Sequence, residues 1–305
     1  MSNRFELLQK QKVSPGLVRD LEDFVSRYPA DPKASDRLIM PEIFFYEKEI
    51  LEMGISALLE GENLLLTGPK ATGKNVLAET LAYLFNRPVY NVSFHVNTSS
   101  AELIGTDTFR DGEVQLRKGS IYRCAEVGGF GILDEINMAK NDAVSVLHAT
   151  LDYRRSIDMP GYDKIELHPA ARFIGTMNFG YAGTKELNEA LVSRFLVIDM
   201  PPQTEDTLTY VFTKYYPDMK SQALKAWVGL FLDLQEKAAH GEISTKALDL
   251  RGMIGAAGVI KRGLTPSAAL EMGIVGKCFD PFEKDIVRDV VRTRIPDDWT
   301  AGDIF

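Results

Sequence analysis

The sequence predicts an α/β protein: a parallel sheet covered by helices, interrupted by two β-hairpins and followed by a smaller all-helical domain. Short apolar runs at residues 63–67, 88–94, 130–133, 172–176 and 195–200 alternate with helical patterns such as 74–85 and 142–151. Continuous apolar runs of that length suit strands buried on both faces, which means a parallel sheet. Residues 105–118 and 154–167 break the rhythm with polar alternation around Asp111-Gly112 and Pro160-Gly161, the pattern of a hairpin. After Pro201-Pro202 the strand-like runs stop, and helical patterns cover 205–215, 220–240, 248–262 and 266–277.

Taken in order, residues 1–40 mix Lys, Glu, Pro and Asp around a weak helical pattern at Leu17, Leu21, Phe24 and Val25, and are expected to form a loosely attached lead-in. A helix over 46–59 presents Ile50, Met53, Leu58 and Leu59 to a core. The α/β domain is expected over 41–201, and a helical lid domain with a C-terminal tail over 202–305. With 45% hydrophobic and 26% charged residues, wholesale disorder is excluded. The 35 basic and 43 acidic side chains leave a net charge of −8. That balance argues against a general binder of nucleic acid or anionic membrane, which needs excess Lys and Arg. Two cysteines, Cys124 and Cys278, cannot build a disulfide framework, and the four histidines show no metal-ligand spacing. Met1 to Val13 lack the apolar stretch of a signal peptide, and no run approaches a membrane span. A cytoplasmic location is expected.

The first strand runs into Gly68-Pro69-Lys70-Ala71-Thr72-Gly73-Lys74-Asn75, a G-x-x-x-x-G-K loop that opens a helix. Glycines allow such a turn to aim its N–H groups inward around a phosphate, and Lys74 adds a point charge for the β and γ oxygens. The bland alternative is a helix-capping turn with a solvated lysine. Asn75 stands where a Ser or Thr hydroxyl normally ligates Mg²⁺. Its carbonyl oxygen is also a hard ligand, so Asn75 is a candidate metal ligand, although turnover can suffer.

The run at 130–133 ends in Asp134-Glu135. Asp134 suits the Mg²⁺ shell, and Glu135 suits orienting and polarising a water that attacks the γ-phosphate. A strand over 172–176 leads to Asn178, which either hydrogen-bonds that water or a γ-phosphate oxygen, or caps the following turn.

These signals in this order resemble the AAA+ ATPases. Leu133-Asp134-Glu135-Ile136-Asn137 with Gly175-Thr176-Met177-Asn178 is most similar to the MoxR-type group, which includes relatives serving nitric oxide reductase and rubisco. The resemblance spans about residues 46–277, and the two hairpins match inserts of that architecture. It implies ATP with Mg²⁺ as ligands and ATP hydrolysis as the activity. It also implies that Arg194, just before the last strand, is a finger reaching the γ-phosphate of a neighbouring subunit. The alternative is a cation at a helix C-terminus. A trans-acting finger requires a homo-oligomer, by resemblance a hexameric ring. Arg251, preferred over Lys246, is the implied second sensor from the helical domain, or else a surface charge.

The implied client is a protein, usually one carrying a von Willebrand factor A domain. Phe109 and Arg110 on the first hairpin and Met159, Pro160, Gly161 and Tyr162 on the second either grip that client or pack against their own domain. Phe44, Phe45 and Tyr46 either flank an adenine or make a core contact. Two competing functions remain: a nucleotide-gated assembly module with negligible hydrolysis, favoured by Asn75, and a nucleic-acid motor, disfavoured by the net charge.

Overall fold

The computed structural model describes residues 3–110, 112–159, 161–178 and 187–305. Asp111, Pro160 and Glu186, which belong to the expected hairpin turns and to the helix before Arg194, lie outside the described residues. Strands are β1 (Leu64–Gly68), β2 (Val89–Ser93), β3 (Gly105–Arg110), β4 (Glu113–Lys118), β5 (Phe130–Asp134), β6 (Ser156–Ile157), β7 (Ile165–Glu166), β8 (Arg172–Asn178) and β9 (Leu196–Asp199). Helices are α1 (Asn3–Lys10), α2 (Pro15–Arg27), α3 (Lys48–Leu59), α4 (Lys74–Leu84), α5 (Ser100–Leu103), α6 (Ser120–Val127), α7 (Asn141–Ser145), α8 (His148–Leu151) and α9 (Glu189–Val192). They continue as α10 (Glu205–Tyr215), α11 (Ser221–Ala239), α12 (Leu250–Ile260), α13 (Pro266–Gly273), α14 (Pro281–Arg294) and α15 (Ala301–Ile304).

Two compact units divide the chain. One comprises 1–68 with 73–200, the other 69–72 with 201–305. In the first, the sheet order is β2-β5-β8-β1-β9, with every pairing parallel. Successive side chains of a strand point to opposite faces, and in the central strands β1, β5 and β8 both faces are buried. Leu64 and Leu66 of β1 join one apolar cluster with Ile132, Ile174 and Ile198, while Leu65 joins another with Leu133 and Phe173. That two-sided burial is why these three strands read as unbroken apolar runs, while the outer strands β2 and β9 are partly exposed. The β3–β4 hairpin pairs antiparallel from Gly105 with Lys118 to Arg110 with Glu113, and β6 pairs with β7 over two residues.

Within the expected lead-in over 1–40, residues 3–40 are not loosely attached. Leu8 and Leu21 are fully buried and share the cluster of α3, α4 and β1. Phe24 packs edge-on against Phe85 with ring centroids 5.0 Å apart. The pattern at Leu17, Leu21 and Phe24 is the inner face of a real amphipathic helix, α2. Two buried arginines tie this corner down. Arg87 donates to Tyr28 O (2.6 Å), Gly128 O (2.7 Å) and Val127 O (3.2 Å), and Arg172 donates to Leu58 O (2.8 Å). Each satisfies carbonyls left over at a helix C-terminus, where a cation is also favoured by the helix dipole. The expected single helix over 142–151 is two short ones, α7 and α8.

The helical unit is built around Trp227, Leu230 and Phe231 of α11, all essentially inaccessible to solvent. The expected C-terminal tail is structured as well. Arg294 of α14 makes a two-bond ion pair with Asp233 of α11 (2.6 and 2.7 Å), Ile304 is fully buried, and Lys220 N–H donates to Ile304 O at 2.8 Å.

Leu21→Ala separates the packed from the loose N-terminal segment. It is expected to lower unfolding stability by about 2–5 kcal/mol, the cost of emptying a filled core position. Chemical denaturation checks this; a change within about 0.5 kcal/mol, as at a solvated site, would contradict the packing.

Candidate functional site

The C-terminal ends of β1, β5 and β8 lie side by side. Register sets Gly68 against Asn178 and Leu133 against Gly175, so the polar residues that follow each apolar run meet at one edge. Open α/β sheets bind ligands at that edge.

The loop leaving β1 has positive φ at Gly68 (+135°), Ala71 (+62°) and Gly73 (+87°). At Gly68 and Gly73 the lack of a side chain allows this at little cost and lets the chain reverse tightly before α4. Gly73 is the N-cap of this helix and no side chain caps it, an arrangement whose first N–H groups and dipole favour negative charge. Lys74 is buried, 7% exposed, and its Nζ donates to Gly68 O at 2.9 Å. Burial pushes its pKa down to about 8, while the negative charges of Asp134, Glu135 and Asp199 pull it back up. The lysine is therefore no solvated surface charge. Thr72 is buried and its hydroxyl donates to Pro69 O at 3.0 Å. Within the helical unit, Gln203 Nε2 donates to Ala71 O at 2.9 Å. Pro69 and Lys70 are exposed at the loop's tip, and Asn75 sits half-buried on the first turn of α4.

Asp134 and Glu135 end β5 with different geometries. Thr176 Oγ1 donates to Asp134 Oδ1 at 2.6 Å, and Glu135 N–H donates to Thr176 Oγ1 at 3.1 Å. Glu135 itself has φ +54° and ψ +45°, a left-handed conformation that a non-glycine residue rarely adopts. Asn178 Nδ2 donates to Glu135 Oε1 at 3.3 Å, and Asn137 Nδ2 donates to Asn178 O at 3.1 Å. Lys74, Asp134, Glu135 and Asn178 thus share one edge.

Arg194 lies elsewhere in the same unit, just past α9. Its Nε donates to His148 O at 3.2 Å, its Nη1 to Ala190 O, and its Nη2 is 3.6 Å from Asp152 Oδ2. The bond to Ala190 is what a helix C-terminal cation makes. Arg251 belongs to the helical unit, exposed on the first turn of α12 behind the N-cap Asp249, whose carboxylate accepts from Gly252 N–H at 2.9 Å. Lys246 is also exposed, with its Nζ 5.1 Å from the Phe279 ring centroid.

On the first hairpin, Phe109 is 77% exposed and stands opposite Val114, itself 62% exposed. Met159 packs partly against its own core, while Tyr162 OH donates to Asp107 at 2.5 Å and links the second hairpin to the first. Phe45 is a core contact: it is buried, and its N–H donates to Thr80 Oγ1 at 2.9 Å. Phe44 packs against Tyr83 of α4 at 5.2 Å.

Sequence reading passed over Thr176, Asn137 and Asp199. The first two lie inside motifs already quoted, and alternation along β8 puts Thr176 on the face of Asn178. Asp199 ends an apolar run much as Asp134 does, and accepts from Thr67 Oγ1 at 3.3 Å.

Residues 63–195 match the AAA domain of the dynein-related subfamily. An uncharacterized protein of Bacillus subtilis, YojN, is 31% identical over 285 residues, which cover 91% of this chain and 93% of that one. The chain belongs to the AAA+ ATPases. Another relative of this AAA+ protein, an uncharacterized protein of Staphylococcus epidermidis, is 32% identical over 199 residues, 63% of this chain and 76% of the relative. In fold, the AAA+ chain is similar to a mutant of RuvB from Thermotoga maritima, with a TM-score of 0.50 and 17% identity over 85% of this chain and 75% of that one. Among the described residues no helix is long and apolar enough to cross a membrane.

A buried, downshifted lysine costs folding free energy that the site retains. Lys74→Met is expected to raise the stability of the ligand-free protein at pH 7 by about 1–3 kcal/mol. The gain is full below pH 8 and fades as pH rises from about 8 toward 10.5, because deprotonation relieves the wild type of the same cost. Urea titrations at pH 7 and pH 10 check this, and a variant less stable at pH 7 would contradict it.

Proposed function

We propose that this chain is an ATP-hydrolysing AAA+ protein of the MoxR type, assembling as a ring and remodelling or activating a partner protein. The observation that carries the reading is the convergence of Lys74, Asp134, Glu135 and Asn178 on one sheet edge beside the uncapped start of α4. Backbone N–H groups of the 68–75 loop bind the β-phosphate, and Lys74 reaches the β and γ oxygens. A triphosphate would raise the lysine's pKa again, since a neighbouring anion favours the protonated form.

Asp134 and Asn75 would hold Mg²⁺. Both offer hard oxygens, and among the described residues no cluster of three or more His, Cys, Asp or Glu side chains could hold a metal alone. That donor set fits Mg²⁺, which takes one or two protein oxygens and completes its shell with phosphates and water. When bound, the ion neutralises charge on the β and γ oxygens. Glu135 accepts the proton of the attacking water, and the amide of Asn178 holds Glu135 in place. Arg194, on leaving Asp152, serves the γ-phosphate of the adjoining protomer, where its planar fork matches phosphate oxygens. Arg251 senses the nucleotide from the helical unit. The exposed Phe109–Val114 pair is the surface offered to a client, possessing apolar area that its own domain leaves uncovered. A client with a von Willebrand factor A domain and a cytoplasmic setting accord with the MoxR resemblance.

A second reading, a nucleotide-gated module with negligible turnover, is favoured by Asn75, which lacks the hydroxyl usual at that position. Glu135→Gln separates the two. On the enzyme reading it lowers the single-turnover rate on the order of 10²-fold or more with ATP binding retained; a wild type no faster than this variant supports the module. For the ring, Arg194→Ala and Glu135→Gln are each expected to be inactive alone and to regain measurable ATPase activity when mixed. Mixing that restores nothing would overturn a finger acting between protomers.

A further inference from the structure

We propose that Thr176 is the residue that positions both acidic groups of the site, an inference that rests on the ATP-binding reading above. Thr176 is 1% exposed in the middle of the sheet, so its hydroxyl has no water to turn to. A hydroxyl has one hydrogen to give and lone pairs to accept. Here the hydrogen goes to Asp134 Oδ1 at 2.6 Å, a short bond to an ionised acceptor, and a lone pair takes the Glu135 N–H at 3.1 Å. One atom therefore fixes the rotation of the Asp134 carboxylate and the backbone at Glu135.

The backbone contact matters because Glu135 is held at φ +54°. A non-glycine residue stays in that conformation only where its surroundings hold it there. The turn delivers the Glu135 carboxylate to within 3.3 Å of Asn178 Nδ2. Thr176 and Asn178 are two residues apart on β8, so they lie on the same face of the sheet, one bonded to the Asp134 carboxylate and the other to that of Glu135. Thr176 touches neither nucleotide nor water on this account. It acts through Asp134 and Glu135, as outer partners of metal-binding carboxylates do; losing such a partner typically costs 10–100-fold in metal affinity or activity.

The experiment compares wild type with Thr176→Val, which keeps the shape and removes the hydroxyl, and with Thr176→Ser, which restores it. Calorimetry measures ATP binding without and with Mg²⁺, and steady-state assays give kcat and KM. Thr176→Val is expected to bind metal-free ATP within about twofold of wild type. It should need roughly tenfold more Mg²⁺ for tight binding and lose on the order of 10²-fold in kcat with little change in KM. Thr176→Ser should return to within about threefold of wild type. A general packing defect would lower metal-free binding and thermal stability together and would not be repaired by serine. If Thr176→Val does not fold, Thr176→Cys, whose thiol is a weak donor, is expected to show the same losses. Magnesium dependence and kcat equal to wild type in the hydroxyl-free variants overturn the proposal. A wild type that never turns over overturns the hydrolysis reading alone, because the magnesium dependence of ATP binding still separates valine from wild type.

Discussion

The in-register parallel pairing of β1, β5 and β8 is the constraint on which the rest of the site depends. Opposing Gly68 with Asn178 and Leu133 with Gly175 leaves no freedom in where the following polar side chains fall. A slip of one residue in β8 would send Thr176 and Asn178 to the other face and break every bond they make to Asp134, Glu135 and Asn137. The register is pinned because both faces carry apolar load. Ile174 belongs to one buried cluster and Phe173 to the other, so a slip would exchange the sides of every core residue in the strand.

Why some of this was legible in the sequence follows from distance along the chain. A strand buried on both faces must be apolar throughout, as β1, β5 and β8 are, and with the two partly exposed outer strands five runs located the sheet to within one or two residues. The phosphate loop and the Asp134-Glu135 pair are contiguous, and their chemistry can be read without knowing what packs on them. Arg87 is the opposite case. Its partners Tyr28, Val127 and Gly128 are far away in sequence on both sides, so nothing local marks it as the tie between the N-terminal helices and α6. The same holds for α2, whose Leu21 and Phe24 form only a short apolar stripe and whose burial depends on Phe85 and Arg172.

Thr176 was hidden for a different reason. Threonine is an ordinary strand residue, favoured by its branched shape, and its presence in β8 needs no special explanation. Only the neighbouring strand end turns it into a functional group, because a carboxylate and an amide both arrive within bonding distance of one buried hydroxyl. Arg194 shows the converse. Its position suggests two roles, and in a single protomer its guanidinium is occupied by Ala190 O, His148 O and Asp152, so on the proposed finger role a phosphate would compete with those contacts. Such competition suits a group that engages only when a neighbour presents its nucleotide.

Charge arithmetic explains why a divalent cation matters to the proposed reading. Asp134, Glu135 and Asp199 all act on Lys74, three negative groups around one positive, a local sum of −2. A triphosphate entering beside them brings further negative charge, and the partial positive charge at the start of α4 offsets only about half a unit. Attraction therefore requires charge supplied with the ligand, which a cation of charge two provides. Orientation of the carboxylate that receives it then governs how much of that attraction is realised, since Mg²⁺ tolerates little departure from octahedral geometry. A carboxylate free to rotate would lose much of its preference for that geometry. The buried hydroxyl of Thr176 removes the rotation before any ligand arrives, so the order needed for binding is already present in the folded chain.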